Sequence, residues 1–160
     1  MISMEISLKH LAWSNQKFFS LFADLPDEVF EFKAADGEWT VGRLLTHFAG
    51  SGEWYRYCLN KGTWSDLKLV TSGAIAIEYL PIMAELDGAL LDNLNREDEI
   101  LEFEDEKGMV RVPRSLILAQ AVMHSAEHKG QIAAIMKQHG YHIDLDKLDV
   151  WSYYASLKKS

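Results

Sequence analysis

Cysteine is almost absent from this chain: of 160 residues, only Cys58 carries a thiol. One thiol closes no internal disulfide, so a disulfide-stapled scaffold is excluded. At an apolar position of a helical pattern, Cys58 reads as a buried thiol. Positive charge is also short. Sixteen Lys and Arg stand against 24 Asp and Glu, a net charge of −8. No Lys/Arg stripe offers a phosphate backbone a track, which argues against nucleic-acid binding. No apolar run approaches the roughly 18 residues that span a bilayer, so no membrane association is expected. The start, Met1 to Glu5, lacks a basic segment followed by an apolar stretch, so no secretion signal is expected. Together these absences predict a cytoplasmic protein. Internal repeats and low-complexity segments are missing too.

What is present is a globular composition. Hydrophobic residues make up 48% of the chain, enough to exclude intrinsic disorder and to predict one domain over residues 1–160. Apolar residues recur with a 3.6-residue period over residues 4–25, broken only by Asn15 on the apolar face. Pro26 ends that helix, a short turn is expected over residues 27–30, and residues 33–38 read as loop. Thr40 is a good N-cap for a second helix reaching Asn60, with Lys61-Gly62 as the stop. Residues 62–73 form a crossover. A third helix is expected over residues 74–95, with Pro81 kinking it or marking its true start. Alternating residues 100–104 and 109–112 around Asp105-Glu106-Lys107-Gly108 predict a small β-hairpin. Pro113 launches a fourth helix, residues 115–139, which Gly140 closes. A short fifth helix over residues 148–158 is expected to pack back through Trp151, Tyr154 and Leu157. The fold class is therefore all-α: four long amphipathic helices forming a bundle, plus the hairpin and a short C-terminal helix.

Function concentrates in the fourth helix, at His124-Ser125-Ala126-Glu127-His128. Histidines four apart share a helix face, roughly 40° apart around the axis and about 6 Å along it. Both imidazoles can then reach one ion at nitrogen–metal distances of about 2.0–2.1 Å. The same face continues through Ile117, Ala121, Ile132 and Ile135, so the pair points inward. Satisfied core histidines are the competing reading. The spelling His124-x-x-Glu127-His128 also matches the inverted zinc-protease pattern, with Glu127 as base; that pattern needs an acidic ligand downstream, and no Glu follows His128. On the second helix His47 lies on or beside the buried stripe, either as a boundary residue or as a third ligand. His10 falls off the first helix's stripe, His139 reads as a capping residue and His142 as a loop residue.

Larger blocks of sequence surround these histidines. Leu44-Leu45-Thr46-His47-Phe48-Ala49, His124-x-x-x-His128-Lys129-Gly130-Gln131-Ile132, Trp13-Ser14-Asn15 and Glu38-Trp39-Thr40 together resemble the DinB-like (YfiT-like) superfamily, over nearly the whole chain. The resemblance implies that His47, His124 and His128 ligate one divalent ion. It also implies an antiparallel up-down-down-up four-helix bundle, frequently dimeric, with the second-to-third connection as crossover. Members typed by function include bacillithiol-dependent S-transferases and a mycothiol-dependent isomerase; many others are described as metal-dependent hydrolases. The family's usual basic residue after the second ligand is Arg, and here it is Lys129. No segment specific to a thiol-cofactor subgroup is present.

Three neutral histidines leave an ion at least one open position. Zn²⁺ so held lowers the pKa of bound water to around 7 or polarises a thiol. Zn or Ni is the expected metal, and Cu and Fe also suit three imidazoles. Glu127 is a base or outer-sphere candidate, with solvated helix charge as its plain reading. Gln131 would orient a ligand or bond between helices, and Asn15 is the first-helix candidate for a polar group over the ion. Trp54 and Tyr55 would line a pocket or simply fill core. The leading expectation is a metal-dependent enzyme, hydrolysing a small electrophilic substrate or transferring a low-molecular-weight thiol to it, and acting as a homodimer. The alternative is a non-catalytic metal-binding bundle serving as a stress-related sensor or interaction protein.

Overall fold

A computed structural model describes residues 4–158. Within them the chain is mostly helical: α1 (Glu5–Ser20), α2 (Val41–Asn60), α3 (Gly73–Leu91), α4 (Arg114–Gln138) and α5 (Val150–Leu157), with one hairpin of β1 (Ile100–Asp105) and β2 (Gly108–Pro113). Two short 3₁₀ turns, Asp27–Glu31 and Leu145–Leu148, fill connections. Met1 to Ser3, part of the stretch read for a leader, lies outside the described residues. No helix among the described residues is long and apolar enough to cross a membrane.

Local chemistry sets the boundaries. The Thr40 side chain accepts the Arg43 N–H at 3.2 Å, capping α2 as expected, and Ser72 does the same for Ile75 at 3.3 Å on α3. At the far end of α2, Lys61 takes the left-handed conformation that closes a helix (φ 54°). The first helix is shorter than its apolar period suggests. Beyond Ser20 the N–H groups of Phe22, Ala23 and Leu25 bond three residues back, the tightened winding of a helix end approaching Pro26. Pro81 neither starts nor divides α3, which runs through it. The neighbouring Leu80 carbonyl accepts the Gln16 side chain from α1 at 2.8 Å. The hairpin is antiparallel, pairing Ile100 with Pro113 and Asp105 with Gly108. Arg114, buried at the base of α4, donates to the Glu97 carbonyl, Asn93 and Glu99, tying the hairpin's entry to the helices.

The fifth helix corrects an expectation. Trp151 is 78% exposed, and Tyr154 and Leu157 are about half exposed; the residue packed inward is Tyr153, against His10 and Trp13 of α1. Two turns of helix leave two stripes open to burial. The Asp149 side chain caps α5 by accepting the Ser152 N–H at 2.7 Å, and that start sets the stripe carrying Tyr153 against α1.

The long helices pack as α1 on α3, α2 on α3, α2 on α4 and α4 on α1. Their apolar residues divide into two clusters. One gathers Phe18, Phe19, Leu44, Tyr79, Met83 and Ile132; the other gathers Leu8, Leu11, Tyr55, Leu90, Phe103 and Ile117. Between them the long helices turn polar, at Ser14 and Asn15 on α1, Ser51 on α2, Asp87 on α3, and His124, Ser125, His128 and Lys129 on α4, with His47 of α2 beside this belt. This polar belt positions the site. Close backbone approach packs the start of α2 against the chain at Val70, because a Cβ on Gly42 would overlap the Val70 carbonyl oxygen.

Candidate metal centre

On one side of the belt, α2 and α4 bring three imidazoles together. His47, His124 and His128 each present a ring nitrogen, and these nitrogens all lie within 4.8 Å of one another. His128 is buried and the other two are half-buried. The rings meet edge to face, with centroids 4.2 Å apart for His124–His128, 5.0 Å for His47–His128 and 5.3 Å for His47–His124.

The hydrogen bonds set up a ligand. His128 Nδ1 lies 3.0 Å from Gln131 Oε1, an oxygen that can only accept, so Nδ1 carries the proton. His128 Nε2 is then a bare lone pair, aimed at His124 Nε2 2.9 Å away. A metal-binding histidine ordinarily donates its other N–H to an oxygen in this way. Ser51 Oγ lies 3.4 Å from His47 Nε2. The donor set and its spacing thus suit a divalent ion that prefers imidazole.

Electrostatics favour the neutral, ligating forms. Burial lowers the pKa of His47, and His128 and Arg43 push the same way. His124 falls to about 4, through burial first and then His128 and His47, with Glu127 opposing. Three imidazoles this close do not all take protons. Stability without metal should follow. In the unfolded chain histidine binds its proton near pH 6.5, whereas folded His124 resists until about 4. Between those values the unfolded state holds more protons, so stability falls as pH falls. Melting temperature of chelator-treated protein is expected to drop across this window, and His124→Ala to flatten the drop. An unchanged slope in that variant would rule out His124 as its source.

The remaining candidates separate. Gln131 is surface-exposed yet reaches back to orient His128. Glu127 is exposed and touches the site only through its charge. Asn15 lines a cavity of about 20 Å³ shared with His124 and Tyr55, but its polar atoms are committed. Its Nδ2 donates to both Asp87 oxygens, at 2.9 and 3.0 Å, and its Oδ1 accepts Ser125 Oγ at 3.0 Å. Tyr55 borders His124, with ring centroids 6.0 Å apart. Burial raises its phenol to about 12, so it stays protonated. Trp54 instead stacks with Tyr57 and Trp64 away from the histidines. His10 bonds the Leu148 carbonyl at 2.7 Å, His139 stacks on Phe32 at 4.1 Å, and His142 is exposed.

Two features escaped the sequence reading. Trp39 meets His47 edge-on, ring centroids 4.9 Å apart, and carries the Arg43 guanidinium over its ring, 4.5 Å from the centroid. Asp87 is buried, and burial raises its carboxyl to about 7, with Asn15 and Lys129 opposing. The signal for Asp87 was its place on the Tyr79–Met83–Leu90 stripe, where a carboxylate needs donors.

Comparison with known proteins shows the family and the fold. The model of the DinB family matches residues 1–149. A solved DinB-like protein from Bacillus cereus is 25% identical, with a TM-score of 0.63 over 85% of this chain and 90% of that one. No curated protein matches the chain.

Proposed function

Because the chain belongs to the DinB family, we propose that it is a metal-dependent enzyme holding one divalent ion on His47, His124 and His128. In this reading the four long helices form the antiparallel up-down-down-up bundle, with residues 62–73 as its crossover. The observation that carries the proposal is the convergence of three ring nitrogens within 4.8 Å, one of them with its proton committed to Gln131.

When bound, the ion supplies Lewis acidity, lowering the pKa of a water or thiol at its open position. The protein's own residues hold and orient. Gln131 fixes the His128 tautomer, and Ser51 sits beside His47. Tyr55, kept as a phenol by burial, borders His124 as a potential proton donor to substrate. Trp39 and Arg43 flank His47 with a flat apolar face and a positive charge, features that suit a small electrophile. We assign Zn or Ni as the metal, a low-molecular-weight thiol or water as the nucleophile, and the cytoplasm as the compartment; the lone buried thiol of Cys58 suits a reducing environment.

The test is turnover of an activated aromatic chloride with added thiol, and of an activated ester without it, by metal-loaded and chelated protein. Activity that requires metal and falls at least a hundredfold in His128→Ala is expected. Bound metal with no turnover of either substrate would favour the non-catalytic sensor or interaction reading.

We further propose a homodimer. Its support is the family resemblance together with aromatic residues left on helix surfaces, Trp151 and Tyr154 on α5 foremost. Sedimentation should give a dimer at tens of micromolar, on the scale of ordinary dimer affinities. A monomer at that concentration contradicts it.

A further inference from the structure

On the flank of α4 away from the histidines, a cleft of about 210 Å³ opens between α1, α4 and the Leu145–Leu148 turn. Leu11, Val122, Ala126, Leu145 and Leu148 give it apolar walls. Lys129 lines it as well, and is only 7% exposed. A buried ammonium is ordinarily matched by an anion or by a full set of acceptors. Here, among the described residues, the Lys129 Nζ has a single hydrogen bond, to Ser14 Oγ at 2.6 Å, although an ammonium has three N–H groups to satisfy. Burial lowers the Lys129 amine to about 7, and Asp87 opposes this through space without a hydrogen bond to it among the described residues. The face of Phe48, 5.8 Å away, adds a weak cation–π contact.

We propose that this cleft is a binding site for a medium-chain monocarboxylate, the carboxylate meeting the Lys129 N–H groups not used by Ser14 and the alkyl chain lying along the apolar walls. The Ser14 hydroxyl itself donates to the Leu11 carbonyl at 3.1 Å. Ser125, also lining the cleft, is engaged with Asn15. The volume equals roughly seven waters at about 30 Å³ each, room for a chain of about six to eight carbons. Two other polar residues line the cleft. His10 is bonded to the Leu148 carbonyl, and Asp149 accepts the Ser152 N–H as the cap of α5. Asp149 is the carboxylate lining the cleft; it is partly exposed and screened by solvent, whereas Lys129 is buried. No histidine of the metal centre lines the cleft.

Calorimetric titration of metal-free protein with octanoate and with octanamide tests the assignment without involving the metal reading. Octanoate is expected to bind one per chain with a Kd of about 1 mM or tighter, and octanamide at least tenfold more weakly. Lys129→Met should erase that preference. Ala126→Phe should block both ligands, because Ala126 lines the cleft and is surface-exposed, so the added ring competes for its volume. Absence of octanoate binding to the wild type, equal binding of acid and amide, or unchanged octanoate binding in Ala126→Phe would each overturn the proposal.

Discussion

Protein carrying His124→Ala is expected to lose its divalent ion, where the wild type retains close to one per chain. The loss is expected because only His47 and His128 of the cluster remain, and no further metal-binding side chain joins it among the described residues. Metal binds only the folded arrangement, so the ion's contribution is read directly in stability. At a hundredfold excess over Kd it amounts to about 2.7 kcal/mol, roughly 5–10 °C in melting temperature for a chain of this length. Chelator should bring the wild type down by that amount and leave His124→Ala unmoved. His47→Ala and His128→Ala should behave alike, and Gln131→Ala should weaken affinity by about 10–100-fold, the usual cost of losing an orienting partner. His10→Ala, His139→Ala and His142→Ala serve as controls and should keep the metal. Full metal retention in both His47→Ala and His128→Ala would dispose of the three-histidine centre.

The second large effect is expected from Asn15→Leu, which preserves volume and removes the hub of the polar belt. Asp87 loses both donors and Ser125 loses its acceptor at one stroke. Each buried polar group left unsatisfied costs about 1–3 kcal/mol, more if charged, so the several bonds lost here should lower the melting temperature by roughly 10 °C. Replacing both members, Asn15→Leu with Asp87→Leu, should recover a good part of that, since two apolar side chains leave less unsatisfied than one broken pair. Urea unfolding of the single and double variants measures the coupling. Single-variant costs below about 1 kcal/mol, or strict additivity, would show that the belt is not a connected network.

The sequence by itself determined the helices, the hairpin and the His124–His128 pair, while His47 joined them only through the resemblance of its surrounding block. Helices, hairpin and pair are each written in local chemistry: the 3.6-residue apolar period, Thr40 as a cap, Pro113 before α4, a Gly-containing turn, and a four-residue histidine spacing on a helix face. Periodicity also carried Asn15 into view, as a polar residue on an apolar stripe. What it could not reveal was where that residue's hydrogen bonds go. Asn15, Asp87 and Ser125 lie on three different helices, and Ser14 and Lys129 are 115 positions apart. Partners at such separations are selected by helix rotation and packing, not by any local pattern. The short α5 shows the same limit on a smaller scale. Two turns of helix present Trp151–Tyr154 and Tyr153 as rival stripes, and only contact with His10 and Trp13 decided for Tyr153. The cleft beside Lys129 is likewise a product of tertiary structure, because it exists only where α1, α4 and the Leu145–Leu148 turn meet without filling the space between them.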